Sequence, residues 1–427
     1  MGLNILIVGG GLGGFAAAAY LRKNHNVTVL ERNQLDFSRN DYAIGVICNA
    51  YNLLQKIGIK DENLDMTVMV KTWTRTAQNE PIYTRDFDTR KTYGTPSILL
   101  RRSKLHKELH RLATNPEPDE KPAEVIENFR VTKIDCETAT AYSEDGRSFS
   151  ADLLIGADGI NSVVRSAVLS DDGTGNREAP AVTHDLIAFM KTIPASAFAE
   201  IPELSWFGDP VNSGGLASWA APDDSVTKPG SVFTKRRLLA AHMSPTEAAI
   251  IGYTTEQEFG PQFDKMKTSI IKGVPASRAI TEFQGFYQPL VDMFEAGDGK
   301  VDVWRIRDID PVDRWYRGKA VLMGDAVHAV TPHAGQGCNM AVEDAEALGF
   351  LLKDAKTAED IQAAFPLFIK VRKDRVQYTA KASRQMGALL SKEEMERLGE
   401  FDRAEFGKKT YGYVGAEAAL RAAEVRA

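Results

Sequence analysis

Five glycines crowd one six-residue stretch near the start of the chain, Gly9-Gly10-Gly11-Leu12-Gly13-Gly14, and Glu31 stands twenty residues past Gly11. A Gly-x-Gly-x-x-Gly run allows what side chains would prevent: a tight turn, close approach of backbone to a pyrophosphate, and a helix seated hard on a strand. Gly9, Gly11 and Gly14 fill those places, and Leu12 opens the helix whose free N–H groups would face the phosphates. A carboxylate at the place of Glu31 can accept hydrogen bonds from a ribose diol. The pattern alone is also met in glycine turns without a ligand. Arg32 leaves open a phosphorylated nicotinamide dinucleotide.

Two later groups narrow the choice. Gly156-Ala157-Asp158-Gly159 leads on to Arg165. Asp158 would repel a pyrophosphate, so its expected task is to hold backbone or Arg165. Gly324-Asp325-Ala326 is followed by Thr331-Pro332-His333-Ala334-Gly335-Gln336-Gly337-Cys338-Asn339. Asp325 suits a hydroxyl of a polyol chain. The N–H groups of the helix that begins near Asn339 suit negative charge on a reduced ring.

Elements follow from the pattern around these groups. Ile5 to Val8, Leu153 to Ile155 and Ala320 to Met323 are short apolar runs ending at the motifs, as buried parallel strands would be. Phe15 to Leu21 predicts a helix and Val27 to Leu30 a second strand, which together make a βαβ unit. Tyr51 to Ile57 and Lys104 to Leu112 predict amphipathic helices. Val68 to Arg101 and His184 to Thr254 alternate, as antiparallel strands do. Val131 to Phe149 predicts a hairpin turning at Glu144-Asp145-Gly146. Ser170 to Pro180 is polar and suits a domain crossing, and the chain beyond Asn339 is mostly helical. The expected fold class is α/β: a Rossmann-type cofactor domain, an inserted β-sheet substrate domain and a C-terminal helical region. The expected segments are 1–75, 98–172 and 298–360 for the first, 76–97 and 173–297 for the second, and 361–427 for the third.

The 427 residues have room for such an arrangement, and 43% apolar with 26% charged is ordinary globular composition. A net charge of −6 argues against nucleic acid or anionic membrane as partner. Cys48, Cys136 and Cys338 form neither a CxxC pair nor a zinc spacing, which fits a reducing compartment. His106 and His110 stand four apart but lack the HExxH order, so no metal is expected. The start shows no leader pattern and no apolar run approaches a membrane span, so a cytoplasmic protein is expected.

On these motifs, together with Arg102 in Arg101-Arg102-Ser103-Lys104-Leu105, Val371 to Arg375 and Ser383-Arg384, the chain resembles the flavoprotein aromatic hydroxylases of the p-hydroxybenzoate hydroxylase type. Within that type it is most similar to the salicylate and 6-hydroxynicotinate hydroxylase branch. The resemblance implies FAD, NADH or NADPH as co-substrate, and O2. It also implies a flavin 4a-hydroperoxide that hydroxylates a phenolic or heteroaromatic acid, with or without loss of its carboxyl group. It assigns Gly9, Gly11, Leu12, Gly14 and Glu31 to the ADP half, with Val131 at the adenine end. Arg102 and Asp325 go to the ribityl-pyrophosphate stretch, Asp158 to FAD and the nicotinamide, and Ile44, Gly45, Gly337, Cys338 and Asn339 to the ring. Pro332 and His333 would meet the substrate, with neutral His333 as the base that takes a phenol proton. A monomer or homodimer is expected.

Other readings remain beside it. Halogenases and reductases share the scaffold, but the five tryptophans show no Trp-x-Trp-x-Ile-Pro segment. A GDP-dissociation-inhibitor-like binding protein would keep the fold without the chemistry, and Asp325 with its following glycines speaks against it. His328 is expected to be structural. Arg236 and Arg237 suit a surface strand end, or else a carboxylate-binding pair. Trp206, Phe207, Trp219 and Tyr253 suit either core or an aromatic pocket.

Overall fold

The computed structural model describes residues 2–38, 40–118, 120–171, 180–210, 214–221, 234–256, 259–266 and 268–424. Most of the polar crossing expected at Ser170 to Pro180 lies outside them.

The apolar runs do form one sheet. Its order is Tyr316–Arg317, Ala320–Leu322, Leu153–Gly156, Asn4–Val8, Asn26–Leu30, Glu124–Ile126. All neighbours are parallel except the short Tyr316–Arg317 edge. Register fixes what matters for function. Val8 pairs with both Leu30 and Gly156, and Gly156 pairs with Leu322. Three strands distant in sequence therefore end level, and each motif hangs from the same carboxyl edge, where open α/β sheets bind ligands. Helix Leu12–Leu21 packs on helix Gly337–Leu352, so the first and last motifs share one layer. Ala16 to Ala19 are small enough to permit that contact and are all buried.

The second sheet has eight strands: Ile270–Pro275, Lys300–Asp308, Val182–Pro194, Glu247–Thr254, Arg237–His242, Gly215–Ala220, Lys71–Thr76 and Pro81–Asp86. Two of these cross the boundaries expected from sequence. Lys71–Thr76 and Lys300–Asp308 hydrogen-bond into this sheet and not into the parallel one. Alternation divides its faces. One face carries Ile187, Phe189, Leu238, Ile250 and Val303 under helices such as Ala276–Glu282, and Trp206, Phe207 and Trp219 belong to that core. The opposite face carries a separate small cluster of Leu186, Ala188, Tyr253 and Ile306, with Met190, Leu239, Ile251, Trp304 and Leu389 against it.

Two small sheets complete the β structure. Ala43–Val46, Ile98–Arg101 and Thr67–Val68 form one. Val131–Asp135, Thr140–Ser143 and Ser148–Ser150 form the other, which is three strands where the sequence suggested a hairpin. The extra reversal lies at residues 136–139, where Ala139 adopts a positive φ of 50°. Helix Ala358–Met386 opens with a capping box of Thr357 and Asp360, and shorter helices follow to Glu424.

Candidate active site

The glycines divide their tasks as the spacing implies. A Cβ on Gly9 would lie 2.5 Å from the Ala157 carbonyl oxygen, and one on Gly14 only 1.9 Å from the Gly9 oxygen. Both glycines are forced by packing. A Cβ on Gly11 would meet nothing within 4 Å. Gly11 is thus the open one, and space above backbone at a helix start is what a phosphate needs. Helix Leu12–Leu21 has no side-chain cap and no acid in its first turn. Glu31 accepts from the Gly10 N–H at 2.9 Å and the Asn33 N–H at 3.0 Å. Its carboxylate is thereby aimed along the loop. His106 closes the back of the loop: it is buried, and its Nε2 contacts the Gly10 carbonyl at 2.7 Å. Burial pushes His106 down to about 4, so the ring is neutral and the contacting Nε2 carries the proton. His106 is therefore a loop brace and not part of a solvated helix face. His110 joins it, edge-on to Phe15 at 5.0 Å.

The later motifs meet this cradle. Asp158 accepts from Ser162 Oγ at 2.5 Å and from the Val163 and Val164 N–H groups at 2.7 and 3.2 Å. It caps helix Val163–Leu169, a backbone-holding role. Arg165 donates to the carbonyls of Ile160 and Ala326, tying the second motif to the third. Asp325 is exposed although protein packs around it, as a group facing a cavity is. Burial raises its pKa, against the pull of His328 and Arg102. Arg102 donates its N–H to the Tyr42 carbonyl at 2.9 Å, and its charge is felt by Tyr42, Asp325 and Cys338. Val131 begins its strand two residues after Phe129, whose N–H donates to the Glu31 carbonyl at 2.8 Å.

Helix Gly337–Leu352 also starts without a side-chain cap or an early acid. Asn339 is buried and uses its side chain elsewhere. It donates to the carbonyls of Gly45 and Gly335 at 3.0 and 2.7 Å and accepts from the Ile47 N–H at 2.8 Å. That clamp holds the strand of Ile44 and Gly45 beside the helix start. Beneath lies a charged layer. Asp344 accepts from the Gly324 N–H and His328 Nε2, and Arg372 pairs with both Glu343 and Asp344. His328 is structural, as expected.

Facing this edge is the small apolar patch of the eight-stranded sheet. Tyr42 stands edge-on to Trp304 at 5.0 Å, and a cavity of about 240 Å³ opens between the apolar Tyr42, Ala43, Met190, Ala249 and Trp304 and the polar Asp41, Lys191, Thr192, Lys300 and Asp302. Neither Pro332, which is exposed, nor His333 lines that cavity. His333 Nδ1 lies 2.5 Å from Arg237 Nη2, and its ring stands edge-on to Tyr253. Arg237 is 5% exposed and is no surface strand end. Its neighbour Arg236 donates to the carbonyls of Glu282 and Gln284. Burial, then Arg237 and His184, drive His333 well below the ordinary histidine pKa, so it is neutral. Tyr42 and Tyr253 carry no motif and were not legible as partners of Arg102 and Arg237.

An open Gly11, two uncapped helix starts and a cavity-facing Asp325, all at one sheet edge, fit an extended dinucleotide with a ring at its far end. The chain belongs to the FAD binding domain family, whose pattern it matches over residues 3–193 and 294–361. It is 30% identical over 393 residues to hispidin-3-hydroxylase of Neonothopanus nambi, covering 89% of this chain and 87% of that one. It is 28% identical over 391 residues to 6-hydroxynicotinate 3-monooxygenase of Bordetella bronchiseptica, covering 89% and 90%. A salicylate hydroxylase in complex with substrate shares the fold at a TM-score of 0.72 and 18% identity, over 98% and 97% of the two chains. The protein is an FAD-dependent aromatic hydroxylase that uses NAD(P)H.

Proposed function

We propose that the substrate is a phenolic or heteroaromatic acid, hydroxylated between the apolar face of the eight-stranded sheet and strand Ala43–Val46. The observation that carries this is the second apolar cluster, Leu186, Ala188, Tyr253 and Ile306, on the sheet face that meets the motifs. A flat apolar patch with a few polar groups at its end suits an aromatic ring. FAD, reduced by NADH or NADPH and reacting with O2, supplies the activated oxygen when bound. The chain's own residues do the rest. Gly9, Gly11, Leu12, Gly14, Glu31 and Val131 hold the ADP half. Arg102 and Asp325 hold the middle, with Asp158 fixing the loop beside it. Ile44, Gly45 and the N–H groups of Gly337, Cys338 and Asn339 border the ring, while Pro332 and His333 border the substrate. Seclusion from water favours productive oxygen transfer over loss as peroxide. The similarity to enzymes named for hydroxylating hispidin and 6-hydroxynicotinate supports the reading.

A cytoplasmic location and a monomer or homodimer complete the proposal. No helix among the described residues is long and apolar enough to cross a membrane, and the three cysteines are free. The test is a panel of phenols and aromatic acids scored for stimulated NAD(P)H oxidation and for product formed per NAD(P)H. A yellow protein whose NAD(P)H oxidation responds to none of them defeats the substrate class.

A further inference from the structure

The cavity beside Tyr42 and Trp304 continues the apolar patch of the eight-stranded sheet, and strand register measures how far. Ala188 pairs with both Tyr253 and Trp304, which sets a first row across the face that meets the motifs. Met190 pairs with Ile251 and Asp302 two residues on, and Thr192 pairs with Ala249 two residues beyond that. Alternation puts all three rows on the same face, ~7 Å apart, so the first and third are about 13 Å from one another. Ala188 and Tyr253 belong to the apolar cluster, whereas Trp304, Met190, Asp302, Thr192 and Ala249 line the cavity. Tyr42 and Ala43 cover it from the other side, just ahead of Ile44 and Gly45. A single aromatic ring on the cluster covers one row; the face runs on for two more.

The far end of the cavity is polar and electrically balanced. Two of its charged groups are engaged within the protein: Asp41 by Arg101 and by Ser103, and Lys191 by Asp298 at 2.8 Å. The other two, Lys300 and Asp302, stand two residues apart on one strand, an acid beside a base. Asp302 accepts from the Gly273 N–H at 3.2 Å, and a carboxylate has acceptor sites to spare beyond one such bond. Such a pair favours a group that both donates and accepts and carries no net charge, as a hydroxyl does, over a second anion.

We propose that this cavity takes a planar, unsaturated arm of the substrate, whose ring to be hydroxylated rests on the apolar cluster, and that the arm ends in an uncharged hydroxyl at Asp302 and Lys300. This rests on the aromatic hydroxylase reading and adds to its substrates a second, conjugated part. The T-shaped contact of Tyr42 and Trp304, 5.0 Å between ring centres, makes an aromatic wall along the arm. Both side chains thereby select for the arm, and Ala249 leaves the room for it.

4-Hydroxystyrene, trans-4-hydroxystilbene and trans-4,4′-dihydroxystilbene present one phenol with an arm of growing length. Their dissociation constants are read from the flavin absorbance of the FAD-loaded protein, and their effect on NAD(P)H oxidation is measured beside that of one-ring acids. We expect dihydroxystilbene to bind at least about tenfold tighter than hydroxystyrene, because a second ring is buried. It should also bind tighter than 4-hydroxystilbene. Ala249→Phe fills the cavity and should bring the ratio of stilbene to styrene affinity to within about threefold of unity at unchanged FAD content. Trp304→Leu adds no bulk and should lower the same ratio at least about threefold. Asp302→Ala should erase the difference between the two stilbenes. Equal binding of hydroxystyrene and dihydroxystilbene overturns the proposal, as does a ratio that neither Ala249→Phe nor Trp304→Leu lowers. So do two stilbenes that bind alike in the parent, or that keep their difference in Asp302→Ala. If one-ring acids still stimulate NAD(P)H oxidation in that event, the hydroxylase reading stands and only the arm site falls.

Discussion

Arg372 and Arg237 are both buried arginines, and they are in opposite electrical states. Arg372 lies under the helix that starts at Gly337 and meets Glu343 at 2.5 Å and Asp344 at 2.7 Å. Burial opposes its charge, and the two carboxylates more than restore it, so its pKa rises. Arg237 lies on the face of the eight-stranded sheet that carries Tyr253, with the carbonyls of Thr234 and Met386 and the His333 imidazole for company among the described residues. Burial lowers its pKa, and Tyr253 offsets that only in part. The first arrangement is scaffold: every charge is matched before any ligand arrives. In the second, no carboxylate among the described residues pairs with the guanidinium. Burial alone does not separate the two; the count of opposite charges does.

The comparison is broken most directly by substitution on the scaffold side. We predict that Arg372→Ala destabilises the fold by ~3–5 kcal/mol, because Glu343 and Asp344 remain buried without their partner. Thermal or denaturant unfolding measures it. The equivalent Arg237→Met should change stability by less than ~1 kcal/mol, or raise it, since a buried guanidinium with no carboxylate partner among the described residues is removed. A loss at Arg237 as large as at Arg372 would mean that both are scaffold.

Glu31→Ala comes next. It removes the acceptor for the Gly10 and Asn33 N–H groups and should weaken FAD binding by ~1.5–3 kcal/mol. Flavin titration of the apoprotein checks this, and unchanged affinity would remove Glu31 from the ribose site.

Strong acid should loosen the charged layer under helix Gly337–Leu352. Against burial, His328 and Arg372 hold Asp344 at about 2, below its ordinary 3.8. The folded value is depressed, so the stabilisation is complete above 3.8 and is lost as pH falls from there through about 2. Asp344→Asn should flatten stability across that window. An unchanged acid limb would show that other carboxylates govern it.

The smallest effect belongs to the long C-terminal helix. Thr357 accepts from the Asp360 N–H at 3.2 Å while Asp360 accepts from the Thr357 N–H at 2.9 Å. Thr357→Ala should cost ~1 kcal/mol of stability and leave the FAD content unchanged. Loss of flavin in that variant would tie the helix start to the cofactor site.

The two ends of the site also differ in how far the chain itself announces them. Gly9, Gly11, Gly14 and Glu31 lie within one βαβ unit, and their roles follow from short-range sterics that any such unit obeys. The parallel strands read as apolar runs because both faces are covered. The resemblance to a flavoprotein hydroxylase, carried by those motifs, was therefore legible, and with it FAD and the class of reaction. What the spacing did not contain is which backbone each carboxylate holds. Asp158 caps a helix, and Asn339 clamps Gly45 with its side chain, because register brought those groups together.

Arg237 is the limiting case. As one of two adjacent arginines before an apolar stretch it suits a surface strand end, and only pairing with Tyr253 in the sheet, 16 positions away, puts it under the patch. His333 lies 96 positions further on, and its tautomer is set by that arginine. The sequence by itself determined the cofactor cradle, since glycine sterics and strand hydrophobicity act within a few residues. The tertiary structure alone decided which arginine has its charge matched, because an ion's environment is the sum of groups brought from every part of the chain.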